Sequence, residues 1–410
     1  MRFIVVTYGT EGDTRPLAAL CRALLDSGHD ARLLADRGTL ASAQSLAIPT
    51  TPLAGDMKGI LQPGGSLSKA MTKNSGFSGM ANAFAWIANT NSEAWMREVV
   101  AAGKGCDAII VSGLAAFVGL SAAQCLQVQV IGAGLIPITP TKAFPSPFLP
   151  ATLVPRFLNR ASHELVNALL WRAFRKPTNA ARAKVCDLAP RREGWSSHAM
   201  LYGISPTLVP KPGDWPDNAH VCGQWIPPSP DWSPPRALSD FLAAGEAPIY
   251  IGFGSMAGFD KTRLVKELVA AVAGRRVLFS PGWSGIDAVD LPSHFFVVGD
   301  MPHSWLFPRM SLVVHHGGSG TTHSATRAGV PSVVVPFVGD QYFWADRLKQ
   351  LGVAPAAVGV KDLRAPDLAR SIELAGSDSM RSRARAAGER MRAENGIANA
   401  IAAIEQMVRA

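Results

Sequence analysis

Cysteine is scarce and unordered in this chain. Five cysteines (Cys21, Cys106, Cys125, Cys186, Cys222) are scattered through 410 residues with no CxxC pair. An odd, unpatterned set argues against a disulfide framework and fits reduced thiols in a cytosolic protein. No apolar run reaches membrane-spanning length, and the opening run Phe3–Thr7 is too short for the core of a signal peptide. The expectation is a cytoplasmic protein, at most peripheral at the inner face of the membrane. Charge is also thin. Only 17% of residues are charged, and the net +9 gathers in no basic-aromatic patch. That argues against a nucleic-acid partner and leaves anionic ligands and lipid surfaces open. Much of the excess lies near the C-terminus in RSRARAAGERMR, as on a solvated helix face. A DxD motif is missing, and so is the Gly-Lys-Ser/Thr of a Walker loop.

What the chain has is apolar bulk, 48% of residues, which at this length reads as two domains rather than one core. Residues 2–36 give a strand (FIVVTY), a loop (GTEGDTRP), a helical stretch (LAALCRALLDSG) and a second strand (HDARLLAD). This is the opening of a doubly wound sheet, whose ligand crevice lies beyond the C-terminal strand ends. Further strands are expected around Ile48 and at Asp107–Gly113, Val128–Gly134 and Met200–Leu208, with a helix over Asn159–Val185. Gly55–Asn91 is a long variable region. Pro137–Pro155 is proline-rich and apolar, so it forms neither regular helix nor central strand. It reads either as a surface connector or as the apolar wall of a pocket, touching a membrane through nearby Lys142 and Arg156. Lys211–Pro235 has the Pro/Trp composition of a linker. Six strand candidates then alternate with helices, one of them over Lys261–Gly274. One or two Ala/Arg-rich helices close the chain over Met380–Arg409. The expected architecture is α/β, with two Rossmann-like doubly wound domains facing each other across a cleft. They span residues 1–210 and 241–378, joined by a linker at 211–240. Helices over 379–410 are expected to pack back toward the first domain.

The chemistry concentrates at strand ends of the second half. LVVHHGGSGTTHSATR (Leu312–Arg327) joins a buried strand to a helix through Gly317, Gly318 and Gly320. Such a junction makes an anion site, because unpaired backbone N–H groups and the positive end of the helix dipole converge there. Glycine admits close approach, and Ser319, Thr321 and Thr322 add hydroxyl donors. His315 and His316 sit within reach of the same anion. Adjacent strand residues point to opposite faces, so the pair is not expected to share a metal, and no metal site is expected. The alternative is a tight turn without ligand. Gly254 and Ser255 (IGFGSM) end another strand and can face a phosphate. Trp283 (FSPGW) either packs or stacks on a base. Met301 and His303 (VVGDMPH) fall near the same rim, with the Met301 backbone placed to read a base edge. Asp340 and Gln341 (PFVGDQ) offer an acceptor and a donor for paired sugar hydroxyls, or else cap a helix. Asp13, in the first strand-end loop, is a base in the crevice or a cap of the following helix.

These segments together resemble the family-one glycosyltransferases of GT-B fold, most closely the sterol 3-β-glucosyltransferase branch. TYGTEGDTRP is similar to the family's GSRGDVQP loop. VHHGGSGTT, VPFVGDQYFWADR, TPTKAFPSPF, LNRASHELVNALLW, LVPKPGDWP and PIYIGFGSM also match the sterol branch. HSATRAGVP looks in addition like the enzymes that glycosylate glycopeptide antibiotics. The resemblance implies a monomeric, metal-independent, inverting enzyme that binds a nucleotide sugar in its second half and a hydrophobic acceptor in its first. UDP-glucose is the implied co-substrate, with a dTDP-sugar as rival, and no further cofactor is implied. By carry-over Asp13 is the general base. Thr10, Gly254, Ser255, Trp283, Met301, His315, His316, Gly317–Thr321, Asp340 and Gln341 bind the donor. Ile136, Ile138, Phe144 and Phe148 bind the acceptor. Two departures stand out. Glu11 replaces an arginine of the relatives, so a phosphate contact is missing or the loop pairs differently. IPIT stands where the sterol branch has MPWT. Natural-product glycosylation, a UDP-sugar 2-epimerase and a non-catalytic auxiliary protein are the competing readings.

Overall fold

The computed structural model describes residues 1–57, 59, 77–228, 232–256, 259–282, 284, 286 and 291–409, with side chains from residue 85 onward in the third of these stretches. The first half forms a sheet from β1 (Arg2–Val6), β2 (Asp30–Asp36), β3 (Thr50–Leu53), β4 (Ala108–Val111), β5 (Gln129–Gly134), β6 (Ala199–Tyr202) and β7 (Ala219–Val221). The second half forms another from β8 (Ile249–Gly252), β9 (Val277–Ser280), β10 (Phe295–Val297), β11 (Leu312–His315) and β12 (Ser332–Val334). The spatial orders are β3-β2-β1-β4-β5-β6-β7 and β10-β9-β8-β11-β12, and every pairing is parallel.

Parallel sheets need both faces covered, and the central strands show why these sequences comply. Along β1, Phe3 and Val5 pack into one cluster with Leu17, Leu20 and Leu24 of the helix Glu11–Asp26. Ile4 and Val6 pack on the other face with Trp95, Met96 and Val99 of the helix Phe77–Gly103. Along β8, Ile249 and Ile251 face one cluster and Tyr250 faces the opposite one. Strand order reverses direction between β1 and β4 and again between β8 and β11. Such switch points open crevices at the carboxyl ends of the strands. The loops after β1 and β8 carry Thr10, Asp13, Gly254 and Ser255, and His316 to Gly318 follow β11, while Ile136, Met301 and Asp340 follow β5, β10 and β12.

The halves meet through shared packing. Phe144, Tyr202, Ile204 and Leu208 of the first bury against Val334, Phe343, Trp344 and Leu348 of the second. Arg347 Nε donates to Leu208 O (2.9 Å), and Glu394 Oε1 accepts from the hydroxyls of Ser205 and Thr207 (both 2.7 Å). The last helix, Gly396–Arg409, crosses back to the first half. There Ala400 and Ile404 join the cluster of Leu17 and Ala18, and Glu405 Oε1 meets His29 Nε2 at 2.9 Å.

Two expectations need correction. Among the described residues the second sheet has five strands, not six, and the first extends past residue 210. Ala219–Val221 lies inside the stretch read as linker and pairs with β6 (Leu201 opposite His220). Pro137–Pro155 has no α-helix or strand, only a 3₁₀ turn at Ala151–Leu153.

Candidate active site

Between the halves lies a cavity of about 2520 Å³ whose walls include both sheets' switch-point loops. That exceeds the few hundred to ~1,000 Å³ of an ordinary small-molecule site, leaving room for two ligands at once.

On the second half the wall is built largely from backbone. β11 ends at His315, opposite Gly252 of β8 and Val334 of β12. Strand alternation then separates the two histidines. His316 faces the cavity, and His315 turns away, fully buried, with Nδ1 accepting from Gly317 N–H (3.1 Å). Burial drives His316 down to about 4 and His315 to about 3, so both rings are neutral near pH 7. His316 lies between two glycines. Gly254, at φ +57, would place a Cβ 3.0 Å from its Cε1, and a Cβ on Gly318 would run into Nε2. Side chains larger than hydrogen would displace the ring from either side.

Gly318 is the N-cap of the helix Ser319–Ala328, and no side chain caps it. Thr322 N–H makes the first intrahelical bond, to Gly318 O at 3.0 Å. The N–H groups of Ser319, Gly320 and Thr321 precede it and are left to point toward an anion. Ser319 offers that N–H but not its hydroxyl, which donates to Leu135 O of the first half (3.0 Å). Gly254, Ser255, Met301, Gly318, Gly320 and Thr321 line the cavity, whereas His315 and Gly317 do not. Trp283 lies outside the described residues.

Asp340 precedes the helix Gln341–Leu351 but does not cap it; its Oδ2 accepts from Trp344 Nε1–H (2.9 Å). Burial pushes its carboxyl up to about 6, with the Trp344 bond opposing and the nearby Asp13 charge adding to the rise. Two carboxyls, one from each half, thus feel each other across the cleft. Gln341 was expected to hold sugar hydroxyls beside it. Its carbonyl is instead occupied by the N–H groups of Phe337 (2.7 Å) and Val338 (3.0 Å). Its amide nitrogen donates to Met256 Sδ (3.2 Å).

On the first half Asp13 is both a cap and a cavity residue. Thr10 N–H donates to Oδ2 at 2.7 Å, and the Thr10 hydroxyl lies 3.3 Å from the same oxygen, forming a capping box. These bonds all fall on one oxygen. Burial raises the Asp13 carboxyl above the usual range, and the Thr10 bonds only partly offset that. Glu11 is paired within its own helix. Its carboxylate holds Arg15 Nε at 2.9 Å, and Arg15 also reaches across the cleft to Asp300.

Much of the remaining wall is apolar, with Arg172, Arg175 and Arg192 among its polar members. Ile136, Ile138 and Phe148 line it, but Phe144 does not. Phe144 is buried against Phe343 and His163, with ring centroids at 5.3 and 5.8 Å. Phe117, Trp171, Phe174 and Trp195 complete the wall; none was expected there. His323 was missed as well. Ser205 N–H donates to its Nε2 (3.0 Å) while its Nδ1–H donates to Ser319 O (2.7 Å), pinning the start of the helix Ser319–Ala328 to the first half.

Among the described residues no group of three or more His, Cys, Asp or Glu is placed to hold a metal ion. None of their helices is long and apolar enough to cross a membrane. The arrangement can hold a diphosphate at a helix N-terminus, offer a base beside it, and enclose an apolar molecule in the same cavity.

Residues 263–406 match the family model "Erythromycin biosynthesis protein CIII-like, C-terminal domain". A sterol 3-beta-glucosyltransferase of Cryptococcus neoformans is 32% identical over 98% of this chain, which spans 27% of that protein. One of Arabidopsis thaliana is 30% identical over 98%, the chain spanning 65% of it. The crystal structure of glycosyltransferase VinC in complex with dTDP superposes with a TM-score of 0.67 over the whole of both chains at 17% identity. The chain therefore has the fold of the GT-B glycosyltransferases, residues 263–406 are similar to the erythromycin CIII-like C-terminal domain, and over nearly its whole length the sequence is similar to part of the sterol 3-beta-glucosyltransferases.

Proposed function

We propose that the chain is an inverting, metal-independent glycosyltransferase that moves glucose from UDP-glucose to a hydroxyl of a hydrophobic acceptor, a sterol foremost. The observation that carries this reading is the meeting of Asp13 from one half with His316, Asp340 and an open helix N-terminus from the other. The names of the sterol 3-beta-glucosyltransferase relatives support the acceptor class.

The chemistry follows from the groups present. Asp13 takes the acceptor's hydroxyl proton as that oxygen bonds to the anomeric carbon. Burial holds Asp13 above the usual carboxylate range, which makes it a stronger base. On the opposite side the bond from the anomeric carbon to the diphosphate breaks, and the electron pair leaves with the diphosphate. The N–H groups of Ser319, Gly320 and Thr321 receive that charge, helped by neutral His316 as a hydrogen-bond donor. Asp340 accepts from sugar hydroxyls. In-line displacement inverts the centre, so an α-linked donor gives a β-glycoside.

A second reading is supported by the erythromycin-type family model and by the dTDP complex of VinC: a natural-product acceptor with a dTDP-sugar. The test is nucleoside diphosphate release from UDP-glucose and a dTDP-sugar, with EDTA present. The acceptor panel is cholesterol, a plant sterol, a flavonoid and a macrolide, with a no-acceptor control and mass detection of the glycoside. Sterol glucoside from UDP-glucose supports the first reading, and macrolide or flavonoid glycoside supports the second. Loss of turnover in EDTA removes the metal-free step. Conversion of the sugar without acceptor, or no turnover from either donor, overturns both readings.

A further inference from the structure

Large apolar side chains are seldom left in water in quantity, and here they gather in one place. Leu153 is 75% exposed, Phe157 84%, Leu165 57% and Leu169 53%, with Leu158 and Leu170 also exposed. All six fall within residues 153–170, on the end of the proline-rich segment and the first turns of the helix Asn159–Cys186. Leu158, Leu165, Leu169, Arg172 and Lys176 follow one another at helical spacings of seven, four, three and four, so they form a single stripe, apolar and then basic. Residues 142–176 hold six cations, Lys142, Arg156, Arg160, Arg172, Arg175 and Lys176, against one anion, Glu164. All six cations are exposed, and among the described residues only Arg160 has a carboxylate partner, Glu164 at 3.1 Å.

The patch is continuous with the cavity. Leu169 and Leu170 are exposed on the surface and also line the pocket, just before Trp171 and about a turn before Phe174 of its apolar wall. An apolar strip with a basic margin matches the interface of an anionic bilayer, whose acyl layer takes the leucines and whose headgroups take the cations.

We propose that this face docks on an anionic lipid surface and that the acceptor passes from the bilayer into the cavity past Leu169 and Leu170. The route for the acceptor rests on the glycosyltransferase reading above; the docking itself does not. The purified chain is sedimented with phosphatidylcholine–phosphatidylglycerol vesicles and with pure phosphatidylcholine vesicles. Binding is expected on the anionic vesicles and weakened by salt. Phe157→Glu combined with Leu165→Glu should lower partitioning about tenfold or more, and Arg156→Glu with Lys176→Glu should do so on anionic vesicles only. Neither pair lines the cavity, so both variants should melt like the parent and glucosylate a sterol delivered in cyclodextrin at the parent rate. They should fall behind when the sterol is embedded in vesicles.

Absence of binding to anionic vesicles, or binding that both variants retain, overturns the docking face. So does a self-associated species in sedimentation velocity that the Phe157→Glu/Leu165→Glu variant dissolves, since the patch would then be covered by a second copy. Vesicle binding without turnover of cyclodextrin-borne sterol leaves the docking standing and counts against the sterol reading instead.

Discussion

The two walls of the cavity are made in opposite ways. The second-half wall is short-range and backbone-built: a strand end, three glycines and a helix start place His316 and three N–H groups within a few residues. The first-half wall is long-range and built from side chains. Phe117, Ile138, Phe148, Trp171 and Trp195 converge from separate loops and helices. A wall of backbone amides suits the invariant part of a donor, its diphosphate. A wall of apolar side chains can be reshaped by substitution without disturbing the fold. The difference predicts that damage to the second-half wall or to the base stops chemistry, while damage to the first-half wall changes which acceptor is used.

The sharpest way to break that division is at Asp13. Asp13→Asn should lower turnover a hundredfold or more, on the scale for losing a general base, with UDP affinity unchanged. Asn keeps an oxygen for the Thr10 N–H, so helix capping should persist, which thermal melting checks. Thr10→Ala is the counterpart: it should cost about 1 kcal/mol of stability through the lost capping hydroxyl and leave the base in place. Turnover retained in Asp13→Asn would remove the residue from catalysis and leave it a cap.

His316→Ala comes next. Losing one preorganised donor to a leaving oxyanion typically costs about a hundredfold in kcat. His315→Ala should instead lower stability, because that ring is fully buried and faces away from the cavity. Equal kinetic effects of the two would contradict the alternation that separates them.

Asp340 gives a smaller, pH-dependent effect. Its folded-state pKa rises from 3.8 to about 6, so the folded chain holds this proton more tightly than the unfolded one. The shift stabilises the fold at acid pH, and that stabilisation is lost as pH climbs toward 6. Asp13 shifts in the same direction. Asp340→Asn should therefore flatten the decline of melting temperature across this window and raise it at neutral pH. In the parent, affinity for UDP-glucose relative to UDP should fall below about pH 6, as the acceptor of sugar hydroxyls is protonated. Asp340→Asn should abolish that dependence, and titration calorimetry at two pH values reads it directly.

What could be seen in the sequence follows the same division. The junction of strand, glycine turn and helix start was legible because it is local, and strand period alone warned that the histidines diverge. The occupied Gln341 carbonyl was not, since its partners are the N–H groups of a loop whose path no residue pattern sets. β7 was hidden because three residues among prolines and tryptophans carry no period; only pairing with β6 reveals it. Trp171 and Phe174 read as helix residues, and helical spacing does not tell an apolar face that meets a cavity from one that meets the core.

Phe144 and Phe148 put this to its finest test, because nothing local distinguishes them. Both sit in the same proline-rich segment, where no regular backbone assigns a direction to a side chain. Phe144 turns inward to Phe343 and joins the packing that holds the halves together. Phe148, half-buried, turns to the cavity. Phe144→Ala should therefore cost about 3 kcal/mol of stability, the usual range for a buried ring, with little change in acceptor KM once the protein is folded. Phe148→Ala should leave the melting temperature nearly unchanged and raise acceptor KM roughly tenfold, the scale of a lost apolar contact, with donor KM untouched. If the two variants behaved alike in both assays, side-chain direction in this segment would carry no meaning. The apolar wall would then be a general property of its composition rather than a built surface.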